Sequence, residues 1–285
     1  MSLYTTSFPY YNTLNQGRLG RYTQIKAVTT NQPEHSVPPN VRNSVYNVGL
    51  YSNDGLDLFY DTEARIKQSA APALPFNPFK ALIAPRPIGW ISTLTPSGSV
   101  NLAPYSYFQA VADNPDIVIF SATPGLTKKN GAVGFTDERK HSESNAISSG
   151  EFVCNLVTQE LAEAMNMTSA HLPQDTDEAA HAGIEMIPST RVKPPRVAAS
   201  PAAIECVVVD THTIRHRGGD HSFQMVFGEV VGIHINDQFI ANGRVDTTAM
   251  RILTRMGYDE YAVLTESFSM TRPDNDPILD GMLKV

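Results

Sequence analysis

Apolar residues along the chain recur mostly in short runs separated by Gly, Pro and polar clusters, a pattern that favours strands over long helices. Ile88–Leu94, the Pro96–Ser99 cluster and Val100–Pro104 predict a strand, a tight turn and a second strand. Asp116–Ser121 predicts a strand buried on both faces. Glu151–Val157 predicts the next strand.

The strongest hairpin signal lies further along the chain. Ala203–Arg217 and His221–Asn236 are two long β-rich runs, separated by Gly218–Asp220. Tyr258–Phe268 predicts a last strand. Many short strands with few helices between them argue against a doubly wound parallel sheet, so we expect a mainly β (α+β) fold built on a closed or partly closed antiparallel barrel.

Three short segments have helical character: Ser144–Ser148, Gln159–Ser169 and Asp246–Met256. Gly150 and Gly257 follow the first and third segments, where C-terminal caps are expected. In the third segment, Arg251 and Arg255 are spaced i,i+4 and would share one helix face. A salt-bridged helix involving Asp246 is favoured there over contact with a cofactor.

Residues 1–55 are rich in Tyr, Asn, Gln, Thr and Pro and lack a sustained period, so we interpret them as an N-terminal extension. Residues 56–273 form the predicted core domain, and residues 274–285 a polar tail. Hydrophobic residues make up 41% of the chain, which allows a sizeable core. No apolar run approaches the roughly 18 residues of a membrane span, and the N-terminus lacks the order of a signal peptide, so we expect a cytoplasmic protein.

Charge and short motifs exclude several other classes. The net charge of -7 argues against a general nucleic-acid binder. No Gly-x-Gly-x-x-Gly follows a strand and no phosphate-binding Gly-x-x-x-x-Gly-Lys-Ser/Thr occurs, so neither nucleotide architecture is supported. Cys154 and Cys206 each lie in an apolar run and are predicted to be buried, reduced thiols.

Three histidines flank the predicted hairpin turn. Alternation places His212 and His216 on one strand face, with His221 across the hairpin. Such an arrangement could hold zinc or copper, or help to bind the phosphates of a ligand, but solvated surface histidines are favoured because nothing with ligand spacing completes the set. We therefore predict no metal site.

Five segments carry a family resemblance. They are Ala84–Thr93, Asn101–Phe108, Asn114-Pro115, the Lys-x-Ser-x-x-Asn element Lys140–Asn145, and the Gly-Glu-Phe-Val-x-Asn-Leu strand Gly150–Leu156. In this order the chain resembles the flavin reductase-like, FMN-binding split-barrel family over roughly residues 57–273. His141 stands where a family member usually carries Asp.

The resemblance implies a homodimer of split β-barrels, each binding one FMN near the dimer interface. Main-chain N–H groups around Ala103–Ser106 would meet the pyrimidine edge of the flavin. Arg86 could contact the phosphate or form a structural ion pair, and Trp90 could border the flavin or lie in the core. The candidate FMN-binding residues are Trp90, Ser92, Thr93, Asn101, Ala103, Pro104, Tyr105, Ser106, Ser121, Ala122, Lys140, Ser142 and Asn145.

Among the candidates, Ser92, Thr93, Lys140, Ser142 and Asn145 have the chemistry to meet the ribityl phosphate. The implied activity is hydride transfer from NADH or NADPH to FMN, with the reduced flavin used by a partner monooxygenase or redox protein. Such transfer depends on positioning more than on acid–base groups, so no catalytic side chain is expected. The alternatives are a flavoredoxin-like FMN electron carrier and a flavin-binding protein without turnover.

Overall fold

The computed structural model describes residues 58–63, 74–123, 126–129, 132–135, 139–170, 172–173, 175–215 and 222–270, with 126–129 and 132–135 described by backbone alone. The extension at 1–55, the tail at 274–285 and the turn at Gly218–Asp220 therefore lie wholly outside the described residues. Their assignments stay predictions.

Strands dominate the described part of the chain, as the sequence pattern predicts. The strands are β1 (Gly89–Leu94), β2 (Val100–Tyr105), β3 (Phe108–Asp113), β4 (Asp116–Ala122), β5 (Leu126–Lys129), β6 (Ala132–Phe135), β7 (Glu151–Asn155), β8 (Met186–Ile187), β9 (Arg196–Val197), β10 (Ala202–Arg215), β11 (Ser222–Ile235), β12 (Ile240–Ala241), β13 (Arg244–Val245), β14 (Leu253–Arg255) and β15 (Tyr261–Val263). The helices are α1 (Phe79–Leu82), α2 (His141–Ser149), α3 (Ala162–Met167) and α4 (Glu178–His181), with a 3₁₀ turn at Asp237–Phe239.

Seven of these strands form one antiparallel sheet in the order β2-β1-β7-β10-β11-β4-β3. The β1–β2 hairpin is confirmed, and Gly98 supplies the positive φ of +90° that its turn requires. The long β10–β11 pair is also confirmed, with 14 residues in each strand. Strand β2 lies at one edge of the sheet, which becomes important for the site.

Alternation along β1 divides the core between the two faces of the sheet. Trp90 packs on one face with Leu102 and Met165, and Ile91 packs on the other with Phe120 and Phe152. The predicted double burial of the fourth strand holds at its centre, since Val118, Ile119 and Phe120 are buried.

Helix α2 ends one residue after the predicted Ser144–Ser148 segment but begins three residues before it. Its C-terminal residue is followed by Gly150 at φ 74°, whose N–H donates to the carbonyl of Ala146 at 2.9 Å. The segment predicted at Gln159–Ser169 contains α3. Helix α2 packs against β1 and β2, on the face that carries Ile91 and Thr93.

The helix predicted at Asp246–Met256 is wrong. The segment consists of turns followed by β14, and Arg251 has a φ of 51°, in the left-handed region that a continuous helix excludes. Non-local pairing decides the outcome, because Leu253 donates its N–H to Val157 at 2.9 Å. Arg251 and Arg255 therefore do not share a helix face, and Arg251 forms an exposed ion pair with Glu160 at 3.7 Å.

The connection at Pro188–Pro201 is not helical, as predicted, but it consists mostly of bends and a turn around the short strand β9 rather than of extended chain, and a buried carboxylate fixes it to the sheet. Glu205 accepts main-chain N–H groups from Thr190 at 2.7 Å, Arg191 at 2.5 Å and Val192 at 3.1 Å, and lies 2.5 Å from Nε2 of His234. Burial alone would raise the pKa of Glu205, but these hydrogen bonds outweigh it and lower that pKa.

Three further observations bear on the sequence predictions. Cys154 and Cys206 are buried and free, as predicted, and burial raises the pKa of both thiols, that of Cys154 to about 12. In the described part of the chain, no three His, Cys, Asp or Glu side chains cluster as metal ligands would, and His216 and His221 lie outside it. No helix among the described residues is long and apolar enough to cross a membrane.

The last predicted strand is shorter than Tyr258–Phe268. Only Tyr261–Val263 pairs, with Leu253–Arg255 of β14.

Candidate functional site

An open cavity of about 430 Å³ lies beside the edge strand β2. The C-terminal half of β2, the beginning of α2, the segment after α3 and the beginning of α4 border it. The residues that line it are Lys80, Asn101, Ala103, Pro104, Tyr105, Ser106, Tyr107, Ser121, Thr123, Arg139, Lys140, His141, Ser142, Thr168, Ser169, Ala170, Leu172 and Glu178. Its lining is rich in hydroxyl groups and cations.

Asn101 links the cavity to a buried polar network under α2. Its Oδ1 atom accepts from Nδ2 of Asn145 at 3.3 Å and lies 3.5 Å from Oγ of Ser142. Nδ2 of Asn145 is also 3.3 Å from Oγ1 of Thr93. All four side chains are buried, so Thr93 and Asn145 lie beneath the cavity and hold the two residues that line it.

Glu178 brings a buried carboxylate to the same wall. Its Oε2 atom accepts the main-chain N–H of Leu102 at 2.8 Å and a hydrogen bond from Nδ2 of Asn101. Burial raises the pKa of Glu178, although these two hydrogen bonds lower it in part. When ionised, this group places negative charge beside a cavity whose other charged groups are mostly cations.

The open edge of β2 offers fewer main-chain donors than the sequence suggests. The Leu102 N–H points away from β1 to Glu178, so alternation directs the N–H groups of Ala103 and Tyr105 toward β1. Pro104 has no N–H to donate. Of the main-chain N–H groups expected to donate across Ala103–Ser106, that of Ser106 therefore remains, since Ser106 follows the last paired residue of the strand.

Tyr105 forms part of the cavity wall, with its ring packed on Phe120 at a centroid distance of 5.2 Å. Burial raises the pKa of its hydroxyl, and a hydrogen bond with Ser142 opposes that rise. The hydroxyl therefore stays protonated at neutral pH and joins the hydrogen-bonding network beside α2.

Cationic side chains line the cavity at the N-terminal end of α2. Arg139, Lys140 and His141 all line it, at the end of a nine-residue helix whose first main-chain N–H groups have no partner within the helix. Behind them, Glu143 is buried with its Oε1 atom 3.9 Å from Nε of Arg139. Burial raises the pKa of Glu143 to about 7, against the lowering effect of Arg139 and of a main-chain hydrogen bond from Lys140.

Five predicted site residues do not line the cavity: Thr93 and Asn145, which lie beneath it, and Trp90, Ser92 and Ala122. Trp90 and Ser92 project to the opposite sheet face from Thr93, because successive side chains of a strand alternate. Trp90 is fully buried and donates its Nε1–H to Oγ1 of Thr168 at 2.9 Å, so it supports a cavity residue from below. Ser92 donates to the carbonyl of Pro195 at 2.5 Å, and Ala122 is buried next to Ser121, which does line the cavity.

Arg86 has neither of the predicted roles within the described residues. Its guanidinium group donates to the main-chain carbonyls of Lys80 and Ile83 at 2.5 Å each and of Met256 at 2.7 Å. It lies outside the cavity lining and instead joins α1 to the chain that follows β14.

One wall of the cavity has no counterpart among the residues predicted from the sequence. Thr168, Ser169, Ala170 and Glu178 form this wall, and the sequence separates them widely from the strands that they meet: Glu178 bonds to Asn101 of β2 77 positions away, and Thr168 bonds to Trp90 of β1 78 positions away. Hydroxyl-rich residues after a short helix are the only local signal, and many surface turns have the same composition.

Comparison with known proteins agrees with the fold. A family model described as the flavin reductase like domain matches residues 82–249, and the chain belongs to this family. An uncharacterized protein of Halalkalibacterium halodurans is 32% identical over 193 residues, which cover 67% of this chain and 87% of the relative.

Two solved structures are similar to this chain. Nitrilotriacetate monooxygenase component B from Bacillus cereus has a TM-score of 0.64 at 27% identity, covering 77% of this chain and 100% of that one. A Shewanella frigidimarina protein described with a split barrel domain has a TM-score of 0.60 at 19% identity, with the same coverage, and shows the fold alone. The fold is therefore a mainly β split barrel, as the sequence predicts.

Proposed function

We propose that this protein is an FMN-dependent oxidoreductase that transfers hydride from NADH or NADPH to a flavin bound in the β2-edge cavity. The observation that carries the proposal is the pairing of Asn101 with Ser142 and Asn145. This pairing joins the two sequence elements of the family resemblance, Asn101–Ser106 and Lys140–Asn145, in one cavity wall.

The donor set of the cavity fits FMN at both of its ends. Arg139, Lys140 and Ser142, together with the free N–H groups at the beginning of α2, would hold the phosphate. The Ser106 N–H and the small side chains of Ala103 and Pro104 leave room for close approach of a flat ring. The carbonyls on the open edge of β2 would accept from a ring N–H group.

When bound, FMN supplies a ring system that accepts a hydride, and the protein supplies its position and electrostatic surroundings. The lining side chains of Asn101, Ser142 and Glu178 are hydrogen-bonded to one another before any ligand enters, which reduces the entropy lost on binding. Glu178 adds a negative charge that disfavours a reduced, anionic ring. The cations at α2 favour the phosphate.

We extend the proposal to assembly and partners. We propose that the protein forms a homodimer in which the second protomer closes the open side of the cavity. We also propose that it delivers reduced FMN to a monooxygenase or another redox protein. The likeness to a monooxygenase component B at 27% identity supports such a partner. Size measurement by light scattering and flavin transfer to an added oxygenase component test the two statements separately.

Purified protein should bind FMN and consume NADH or NADPH when free FMN is added. The ultraviolet absorbance of the reduced nicotinamide measures turnover, and quenching of FMN fluorescence measures binding. FMN binding with no consumption of either nicotinamide would favour the electron-carrier alternative. A protein that binds no FMN would contradict the proposal and the alternative alike.

A further inference from the structure

A second group of cations lies near the other end of β2 from Asn101. Lys80 of α1 lines the cavity, and its Nζ atom lies 5.7 Å from the centre of the Tyr107 ring, which also lines it. Asn101, which contacts α2, and Tyr105 are about 13 Å apart along the strand at about 3.3 Å per residue. Tyr107 lies two residues further on.

Main-chain contacts hold Lys80 close to two more cations. The Arg86 guanidinium donates to the carbonyl of Lys80 at 2.5 Å. Arg86 and Arg255 are joined by reciprocal main-chain hydrogen bonds of 2.9 and 3.0 Å. Burial lowers the pKa of Lys80, and the charges of Arg86 and Arg255 lower it further.

No carboxylate of the described residues forms an ion pair with these three cations. The ion pairs of that part of the chain use Arg139, His234 and Arg251. The guanidinium of Arg86 is directed at carbonyls, and that of Arg255 lies 4.5 Å from the centre of the Tyr261 ring and donates to the carbonyl of Tyr258. Lys80 is therefore the member of the group that presents its charge to the cavity.

In a chain of net charge -7, uncompensated positive charge at a cavity wall favours an anionic ligand. The exposed face of Tyr107 beside the ammonium group adds a surface on which a planar base can stack. A cation and an aromatic ring side by side match a phosphorylated nucleoside.

We propose that Lys80 and Tyr107 bind a phosphate-bearing end of the nicotinamide dinucleotide, separately from the FMN phosphate at α2. This inference rests on the proposed function and makes Lys80 a binding residue for the second substrate. The phosphate is either the 2′-phosphate of NADPH or the pyrophosphate that NADH and NADPH share. Lys80 forms an ion pair with it, and Tyr107 packs against the attached nucleoside.

The test compares Lys80→Met with wild-type FMN-loaded protein by titration calorimetry against NADP⁺ and NAD⁺, which bind without turnover. Lys193→Met is the matched control, because Lys193 is exposed and lies outside the cavity lining. Lys80→Arg keeps the charge. FMN affinity is measured in parallel from the fluorescence of the apoprotein on titration.

Lys80→Met should weaken dinucleotide binding about tenfold, the value of one charge-assisted hydrogen bond, and leave FMN affinity unchanged. Lys80→Arg should restore most of the affinity, and Lys193→Met should have no effect. A loss confined to NADP⁺ assigns Lys80 to the 2′-phosphate, and an equal loss for both dinucleotides assigns it to the pyrophosphate.

Unchanged binding of both dinucleotides would overturn the inference. A loss of FMN affinity in Lys80→Met, with riboflavin affinity unchanged, would also overturn it and would assign Lys80 to the cofactor. Failure of the proposed function itself has a different signature, because the wild-type protein would then bind no FMN or consume no nicotinamide.

Discussion

The carboxylate of Glu178 accepts the main-chain N–H of Leu102 at 2.8 Å, on the open edge of β2. The same oxygen accepts from Asn101, so one buried charge organises both the strand edge and the polar network under α2. Because the edge of a sheet otherwise presents unpaired main-chain groups, this carboxylate determines which of them a ligand can reach.

Replacing Glu178 by Gln should raise the reduction potential of bound flavin by about 30 mV, which for a two-electron couple corresponds to about 1.4 kcal/mol. Gln keeps an oxygen that can accept from Leu102 but removes the negative charge that disfavours the reduced ring. The measurement is a redox titration of the FMN-loaded protein at about pH 9, well above the usual range for a carboxyl group.

The matched control for this titration is Asp177→Asn. Asp177 caps α4 by accepting the Ala180 N–H at 2.8 Å, is half-buried, and does not line the cavity. Asn caps helices as well as Asp does, so the control removes a neighbouring charge without unfolding α4. A lower flavin reduction potential in Glu178→Gln, or an equal change of that potential in Asp177→Asn, would refute the electrostatic role of Glu178.

Glu143 should make stability depend on pH. Its pKa is about 7 in the folded protein and about 4.3 in an unfolded chain. A carboxyl group with a raised folded-state pKa contributes stability that is fully present below about pH 4.3 and is lost as the pH rises through about 7.

The variant Glu143→Gln should therefore be more stable than wild type at pH 8, by about 1 to 2 kcal/mol. This is less than the full shift would give, because solvent screens the charge near the exposed Arg139. The difference should shrink as the pH falls toward about 5. Urea denaturation at several pH values measures it, and a difference independent of pH would show that Glu143 is not a titrating destabiliser.

Gly228 allows close packing between β11 and the core. A Cβ atom at this position would clash with Cζ of Phe152 and would lie 2.9 Å from Cβ of Cys206. Because Phe152 is fully buried and has no room to move, Gly228→Ala should cost about 1 to 3 kcal/mol of unfolding free energy.

Gly232→Ala on the same strand is the control. Its Cβ atom would meet Cγ of Arg191 at 3.5 Å, an ordinary contact, so its stability should stay within about 0.5 kcal/mol of wild type. Thermal unfolding of the two variants side by side tests the packing of this face. Equal stability of Gly228→Ala and Gly232→Ala would contradict the close packing at Gly228.

Local sequence signals predict the elements whose hydrogen bonds are local. The β1–β2 hairpin follows from a turn cluster between two apolar runs, and the end of α2 follows from Gly150. The segment at Asp246–Met256 has helical spacing but consists of turns followed by the short strand β14, whose Leu253 N–H donates to Val157 far away in the sequence. The periodicity of hydrophobic residues does not predict hydrogen bonds between segments that are distant in the sequence.

The same reasoning applies to the site. The resemblance identifies Asn101 and Lys140–Asn145, and the structure brings them together because β1 and β2 carry α2 on one face. The resemblance does not identify Thr168 and Glu178, whose positions depend on how α3 and α4 pack against β2. The candidate FMN-binding residues also include Trp90, whose side chain lies on the opposite face of the sheet because side chains alternate along the strand.

The central claim is that the cavity binds FMN with its phosphate at the beginning of α2. The most direct measurement is the affinity of Lys140→Ala for FMN and for riboflavin, which lacks the phosphate, with Lys193→Ala as the control. The account predicts that FMN binding weakens about tenfold in Lys140→Ala while riboflavin binding and both affinities of the control stay near wild type. Equal losses for FMN and riboflavin, or no loss for either, would contradict it.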